Sequence, residues 1–239
     1  MRLLDLTLDT PEENLALDEA ILEEAEQTGD GAETLRLWES PQPFVVLGRS
    51  SRIAVEVNEH ACRRRGMPIL RRCSGGASVV AGPGCLMYAV ILSFDLRPEL
   101  RMISEAHCFV AQNMMAALRP LVPEVRFRGT CDLTVGDKKF SGNSLRVKRS
   151  NMLYHGTLLF DFPLDLISIC LRNPPRQPDY RQGREHGTFV TNLGVSTEDL
   201  RRALVRQWQA RSDTTDWPRG RTENLIARRY SQQSWNDRL

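Results

Sequence analysis

Two short stretches concentrate residue types that bind anions. The run Arg71-Arg72-Cys73-Ser74-Gly75-Gly76-Ala77-Ser78 sets two guanidinium groups beside two glycines. Glycines at a strand end let the backbone approach a ligand closely, and exposed backbone N–H groups there cradle an anion. Flanking arginines add charge-assisted hydrogen bonds to a phosphate or carboxylate. A bare Gly-Gly is commonly only a hairpin turn, but the two arginines and a second loop at Gly82-Pro83-Gly84 weigh toward binding. The second stretch runs from Asp132 to Asn143. Gly136-Asp137 reads there as a turn between two strands, and Lys139 opens the second strand, followed by Ser141-Gly142-Asn143. An ammonium at that point can stand beside a bound carboxylate or phosphate. Spacing alone favours a plainer reading, an exposed hairpin with two solvated lysines.

Two histidines mark further segments. His155 heads an apolar strand in Tyr154-His155-Gly156-Thr157-Leu158-Leu159, where a lone histidine is more often a satisfied structural group than a catalyst. His186 opens the run to Gly194 and follows a Pro- and Arg-rich loop, Asn173–Gly187. A long loop without structure of its own often acts as a lid.

These segments need elements to hold them. Alternation over Arg2–Leu8 predicts a strand. Thr10-Pro11-Glu12-Glu13 predicts a helix start with a capping box, and Gly29-Asp30-Gly31 its end. Strands are expected at Thr34–Glu39, Phe44–Gly48, Ile69–Arg72, Leu86–Phe94, Val125–Phe127, Leu133–Val135, Lys139–Leu145 and Tyr154–Phe162. Helices are expected at Val57–Arg65, Ser104–Leu118, Thr197–Arg211 (capped by Thr197) and Arg221–Ser231, with Asp165–Leu171 helical or irregular. Strands in adjacent runs with helices grouped between them argue for α+β and a mixed or antiparallel sheet.

Composition narrows the class. The 239 residues, 41% hydrophobic and 26% charged, suit one large globular domain. A formal charge of +2, from 32 basic and 30 acidic residues, calls for no nucleic-acid partner. Arginines crowd the segment from Arg172 to Arg238, among them Arg176, Arg181 and Arg184. They read either as a solvated face or as a surface that docks an acidic protein. Six cysteines without a CxxC pair, and an N-terminus without a secretory pattern, lead us to expect reduced thiols, no zinc site and a cytoplasmic protein. No apolar run is long enough to span a bilayer.

Four motifs occur in order: Arg-Arg-x-Ser-Gly-Gly at 71–76, Asp-Leu-x-Val-x-x-x-Lys-Phe-Ser-Gly-Asn at 132–143, His-Gly-Thr-Leu-Leu at 155–159 and Phe-Val-Thr-Asn-Leu at 189–193. Together they resemble the lipoate–protein ligase family. The resemblance implies an α+β catalytic domain like those of class II aminoacyl-tRNA synthetases and biotin and lipoate ligases, over residues 1–239, with no C-terminal accessory domain. It implies transfer of a lipoyl or octanoyl group, through an acyl adenylate, to a lysine of a lipoyl-domain acceptor of the 2-oxoacid dehydrogenase E2 or glycine-cleavage H-protein type. It assigns Lys139 the catalytic part. Arg72, Ser74, Gly75, Gly76, Ala77, Ser141, Gly142 and His155 would bind the acyl substrate, and Asp132, Asn143 and Thr157 the nucleotide. ATP and Mg²⁺ are the implied cofactors, with few or no protein ligands to the metal. The chain departs from the pattern at Ala77, where a third glycine is usual, at Ala81, where a histidine is common, and at Cys131, where an asparagine precedes the aspartate. Two alternatives follow. One is an ATP-independent octanoyl or lipoyl transferase, in which Cys131 would be the nucleophile. The other is a non-catalytic lipoate-binding subunit that needs a separate accessory chain.

Overall fold

The computed structural model of the chain describes residues 1–212 and 216–239. Three sheets form the frame. Strands β1 (Arg2–Asp5), β2 (Thr34–Trp38), β6 (Cys85–Ser93), β11 (Asn151–Leu159) and β10 (Asn143–Val147) lie side by side in that order. Within this sheet only the β1–β2 pair is parallel. A second sheet sets β3 (Phe44–Leu47) between β4 (Ile69–Arg71) and β5 (Val79–Ala81). A third is the meander of β7 (Val125–Arg128), β8 (Asp132–Val135) and β9 (Lys138–Ser141). The architecture is the expected mixed, mostly antiparallel α+β fold. No helix among the described residues is long and apolar enough to cross a membrane.

The two central strands carry nine residues each, CLMYAVILS and NMLYHGTLL, every one of them buried. A strand covered on both faces loses polar alternation and reads as a continuous apolar run. Helix α1 (Pro11–Thr28) covers one face, and its start is the expected capping box, with Thr10 accepting from the Glu13 N–H and Glu13 accepting from the Thr10 N–H. Gly29, in the left-handed region at φ 61°, ends it. Helices α4 (Ile103–Leu118) and α7 (Thr197–Gln207) pack with the opposite core. Between them in the chain come α5 (Asp165–Cys170) and the one-turn α6 (His186–Phe189).

Several boundaries differ from expectation, each for a local reason. The expected helix over 57–65 is two pieces, α2 (Ile53–Glu56) and α3 (Glu59–Arg64), because Asn58 caps a new start at Glu59 by accepting from the Ala61 N–H. Ser196, not Thr197, caps α7, through the Asp199 N–H. The expected strand 139–145 is two strands in different sheets, β9 and β10, with Gly142 at the crossing. His155 sits in the middle of β11 rather than at its head. The last helix begins at α8 (Arg219–Leu225), passes through a π turn at Ile226–Tyr230 and is followed by α9 (Gln233–Asn236). Arg71 holds that tail. Its fully buried guanidinium donates to the carbonyls of Gly48 and Ser51 on one side and Asn236 on the other, at 2.7–3.1 Å.

A buried ion pair ties α1 to the sheet. Arg36 on β2 meets Asp18 at 2.5 Å, both side chains almost fully excluded from water. The guanidinium also donates to the Asn14 carbonyl, the Asn14 side chain and the Leu6 carbonyl. Burial alone would push the Asp18 carboxyl up, but Arg36 and His155 outweigh it and hold the group below its usual 3.8. A carboxyl lowered in the folded state adds stability that is complete above its unfolded value and is lost as pH falls through the folded one. Arg36→Met leaves that carboxylate buried and unpaired, and is expected to cost about 3–5 kcal/mol in urea denaturation at pH 7. The wild-type advantage over the variant should shrink as the pH is lowered below about 4.

Candidate active site

The motif residues converge on one cavity of about 610 Å³. Leu15, Val46, Met87 and Leu159 line its apolar side, and Lys139, Asp132, Thr157 and Arg181 its polar side. The glycine loop, residues 72–78, forms one lip. Arg72 is buried behind it and staples it, donating from Nε to Ser74 Oγ at 3.1 Å and from Nη2 to the carbonyls of Gly75 and Ala77. Burial pushes the Arg72 guanidinium down to about 10. The backbone N–H groups of Gly75, Gly76 and Ala77 make no hydrogen bond to any described residue, so they remain available to an anion. Gly48 lets the loop lie down: a Cβ there would stand 1.8 Å from the Gly76 carbonyl oxygen. Glu56 at the end of α2 fixes the far end, accepting from the N–H and the hydroxyl of Ser78 at 2.7 and 2.8 Å.

Ser74 faces away from the cavity and meets His155 Nε2 at 2.5 Å, while His155 Nδ1 lies 3.4 Å from Asp18 Oδ2. Arg72 can only donate to Ser74 and Asp18 can only accept. Nδ1 therefore donates to Asp18, and Nε2 shares a hydrogen bond with the Ser74 hydroxyl. Both ring nitrogens are taken, so His155 presents a wall to the cavity rather than a free base.

The polar end is built on a bulge. Leu133 pairs with Ser141 and Thr134 with Lys139, so one residue of β9 is left over and the Lys139 side chain is re-aimed. Its ammonium is 2.6 Å from Asp132 Oδ1. Gly142 leaves room for it, since a Cβ would approach Lys139 Cε and Nζ to 3.1 Å. The main chain of Lys139 pairs with Val190 and accepts from Thr191 N–H, which docks the fourth motif. Asn143 is a clamp rather than a free ligand. Its amide donates to the Cys131 carbonyl at 2.6 Å and accepts from the Tyr88 hydroxyl at 2.6 Å. Gly156 makes space for that clamp, because a Cβ there would meet Asn143 Oδ1 at 1.8 Å. Thr157 pairs with Gly142 through both main chain and hydroxyl.

The loop 173–185 closes over this end. Tyr180 donates to Asp132 Oδ2 at 2.7 Å, and Arg184 pairs with Asp137 at 2.6 Å across the hairpin turn. Of the residues expected from sequence, Arg72, Gly76, Ala77, Cys131, Asp132 and Lys139 line the cavity, as do Ser141, Gly142, Asn143, His155 and Thr157. Ser74 and Gly75 do not line it and act from behind the loop. Glu56, Tyr180, Arg181 and the Asp18–Arg36 pair were not foreseen. Glu56 is in a short amphipathic stretch without a motif, and Arg181 was one arginine in a basic tract.

Three comparisons bear on the fold and its motifs. The family model of the lipoyl protein ligase A/B catalytic domain matches residues 10–209. The chain belongs to that family. A protein of Aeropyrum pernix assigned as a lipoate-protein ligase A is 33% identical over 157 residues, 66% of this chain and 56% of that protein. The chain spans about half the length of several of the curated relatives it matches. A T. acidophilum protein assigned as a lipoate protein ligase, solved with bound lipoic acid, superposes with a TM-score of 0.84 at 25% identity, covering 100% of this chain and 99% of that one. A lipoate-protein ligase A solved with ATP superposes at 0.81 with 26% identity, covering 99% and 98%.

Cys131 can be weighed on its surroundings. Burial pushes its thiol up, with Asp132 adding to the shift and Lys139 opposing it, and the Sγ donates to the Asn143 carbonyl at 2.9 Å. That environment disfavours a thiolate. Iodoacetamide at pH 7.5, followed by peptide mass spectrometry, is expected to modify exposed Cys108 at least about tenfold faster than Cys131. Faster labelling of Cys131 would restore the nucleophile reading.

Proposed function

We propose that the chain is a lipoate–protein ligase whose catalytic domain is residues 1–239. The observation that carries the reading is one cavity whose apolar wall continues into a lysine–aspartate pair beside free backbone N–H donors. Such a cavity suits an amphipathic acid, with its chain among Leu15, Val46, Met87 and Leu159 and its carboxylate toward Lys139. Lipoate and octanoate both have that shape.

In the first step the carboxylate oxygen of the acid attacks the α-phosphorus of ATP and pyrophosphate departs. In the second, an acceptor lysine amine attacks the acyl carbon of the adenylate, loses a proton and forms an amide as AMP leaves. Lys139 answers the charge that accumulates on the oxygens between acyl group and phosphate. To do so its ammonium must leave Asp132, a side chain whose second oxygen the Tyr180 hydroxyl already holds. Gly76 and Ala77 offer backbone N–H groups to the same oxygens. His155, with both nitrogens engaged, shapes the acyl wall and transfers no proton in this scheme.

ATP arrives with Mg²⁺ in this family reading. Among the described residues no group of three or more His, Cys, Asp or Glu side chains could hold a metal ion. Asp132 is taken by Lys139 and Tyr180, and Glu56 by Ser78. These residues fit Mg²⁺ only as an ion carried by the phosphates. The acceptor is a small lipoyl domain, and the exposed arginines of the last third suit an acidic surface on it.

The test mixes the purified chain with lipoate, ATP·Mg²⁺ and a lipoyl-domain acceptor and follows acceptor mass. Modification that requires ATP is expected, and Lys139→Met should slow it by at least about a hundredfold. Acyl transfer only from an octanoyl carrier protein would instead establish the transferase, and transfer from neither donor would contradict both.

A further inference from the structure

Guanidinium groups from distant parts of the sequence meet at the C-terminal tail. Arg71, fully buried, donates to the carbonyls of Arg49 and Asn236. Arg238 donates to the same Arg49 carbonyl. Its guanidinium lies 4.4 Å over the Trp235 ring, and that of Arg229 lies 4.7 Å over the same ring. Trp235 is itself fixed, because its indole N–H donates to the Arg71 carbonyl at 2.8 Å. Stacking and hydrogen bonding thus hold Arg229 and Arg238 in place, so less side-chain freedom is lost when they meet an anion.

The acids nearby are engaged. Glu19 accepts from Arg229 and from the Tyr230 hydroxyl. Asp237 accepts from Gln233, and its charge and that of Glu56 act on Arg71. Arg49 and Arg238 are exposed, and neither makes an ion pair with a described residue. Burial pushes the Arg238 guanidinium down, and the like charges of Arg49 and Arg229 push it the same way.

This cluster adjoins the lip of the cavity. The Arg49 N–H donates to the Ser74 carbonyl at 2.7 Å, and Gly48 before it lies against Gly76. Gly75 and Gly76 are themselves exposed. In amide formation the acceptor must bring its own amine to the acyl carbon inside the cavity. A domain that delivers a lysine over this lip rests on the surface around it.

We propose that Arg49 and Arg238, with Arg229 beside them, form a docking surface for an acidic face of the acceptor domain. This rests on the reading above that the chain acylates a lysine of a lipoyl domain. The surface governs encounter and orientation and leaves activation of the acid to the cavity.

The experiment compares the full chain, wild type and Arg49→Glu/Arg238→Glu, in two assays. Lipoate-dependent exchange of pyrophosphate into ATP reports adenylate formation, and lipoylation of a lipoyl domain at graded concentrations reports docking. The double variant is expected to raise the KM for the lipoyl domain at least about tenfold, with kcat and the exchange rate within about twofold of wild type. The wild-type KM should climb as NaCl is raised from about 20 to about 200 mM, and the variant's should climb less. An unchanged KM in the double variant overturns the proposal. So does an equal loss of exchange and lipoylation, which would mean damage to the lip. A wild type that exchanges no pyrophosphate but acylates the lipoyl domain from an octanoyl carrier protein fails the ligase reading alone. The KM comparison is then made with that donor and decides the docking surface in the same way. A wild type inactive with both donors overturns the two together.

Discussion

Asp18 and Arg36 meet out of reach of water, and such a pair is tolerable only when its remaining hydrogen-bonding groups are satisfied. Here all but the Arg36 Nε are, and the partners spread the constraint through the fold. Arg36 reaches the Leu6 and Asn14 carbonyls, which fixes the approach to α1. The second oxygen of Asp18 faces His155 on the central strand, His155 meets Ser74, and Ser74 accepts from Arg72. One hydrogen-bonded chain thus runs from the helix through the sheet to the glycine loop. The loop has no side chains of its own to hold it at Gly75 and Gly76, so its shape is imposed from behind. The acyl side of the cavity depends on that shape.

The polar end works on a different principle. Here a partly exposed Lys139 sits over a buried Asp132, and the pair is poised to exchange partners. Lys139 sits on Asp132, and Asp132 is shared with Tyr180 of the lid. An entering carboxylate or phosphate competes with Asp132 for the ammonium, and the displaced carboxylate still has the tyrosine hydroxyl. Such an exchange keeps a charge paired at each stage, which lowers the cost of moving it within a partly buried site. The glycines at 142 and 156 serve the same end passively, since a Cβ at 142 would crowd the end of Lys139 and one at 156 would collide with Asn143.

Much of this was legible in the residues, and the gaps have physical causes. The start of α1 was clear because a capping box is a local device written in four residues. The buried central strands were clear as apolar runs. The 139–145 segment misled because β-propensity continues through Gly142, while the change of sheet there is a tertiary event. β5 is three residues long and left no pattern. In the site, the glycine loop and Lys139 stood out because they carry a spacing. Glu56, Tyr180 and Arg181 did not, because only folding brings a short helix, a lid and a hairpin to one cavity. Asn143 was identified by its motif, yet its amide is spent on Cys131 and Tyr88, a contact no sequence pattern announces.

The central claim is that Lys139 changes partner, from Asp132 to the oxygens joining acyl group and phosphate. A crystal structure of the chain with a non-hydrolysable lipoyl-adenylate analogue tests it directly. The expected map places the lipoyl chain against Met87 and Leu159 and the Lys139 ammonium within hydrogen-bond distance of the analogue's bridging oxygens, with Asp132 still held by Tyr180. A complex in which Lys139 stays on Asp132 and the acyl–phosphate junction lies elsewhere in the cavity would contradict it.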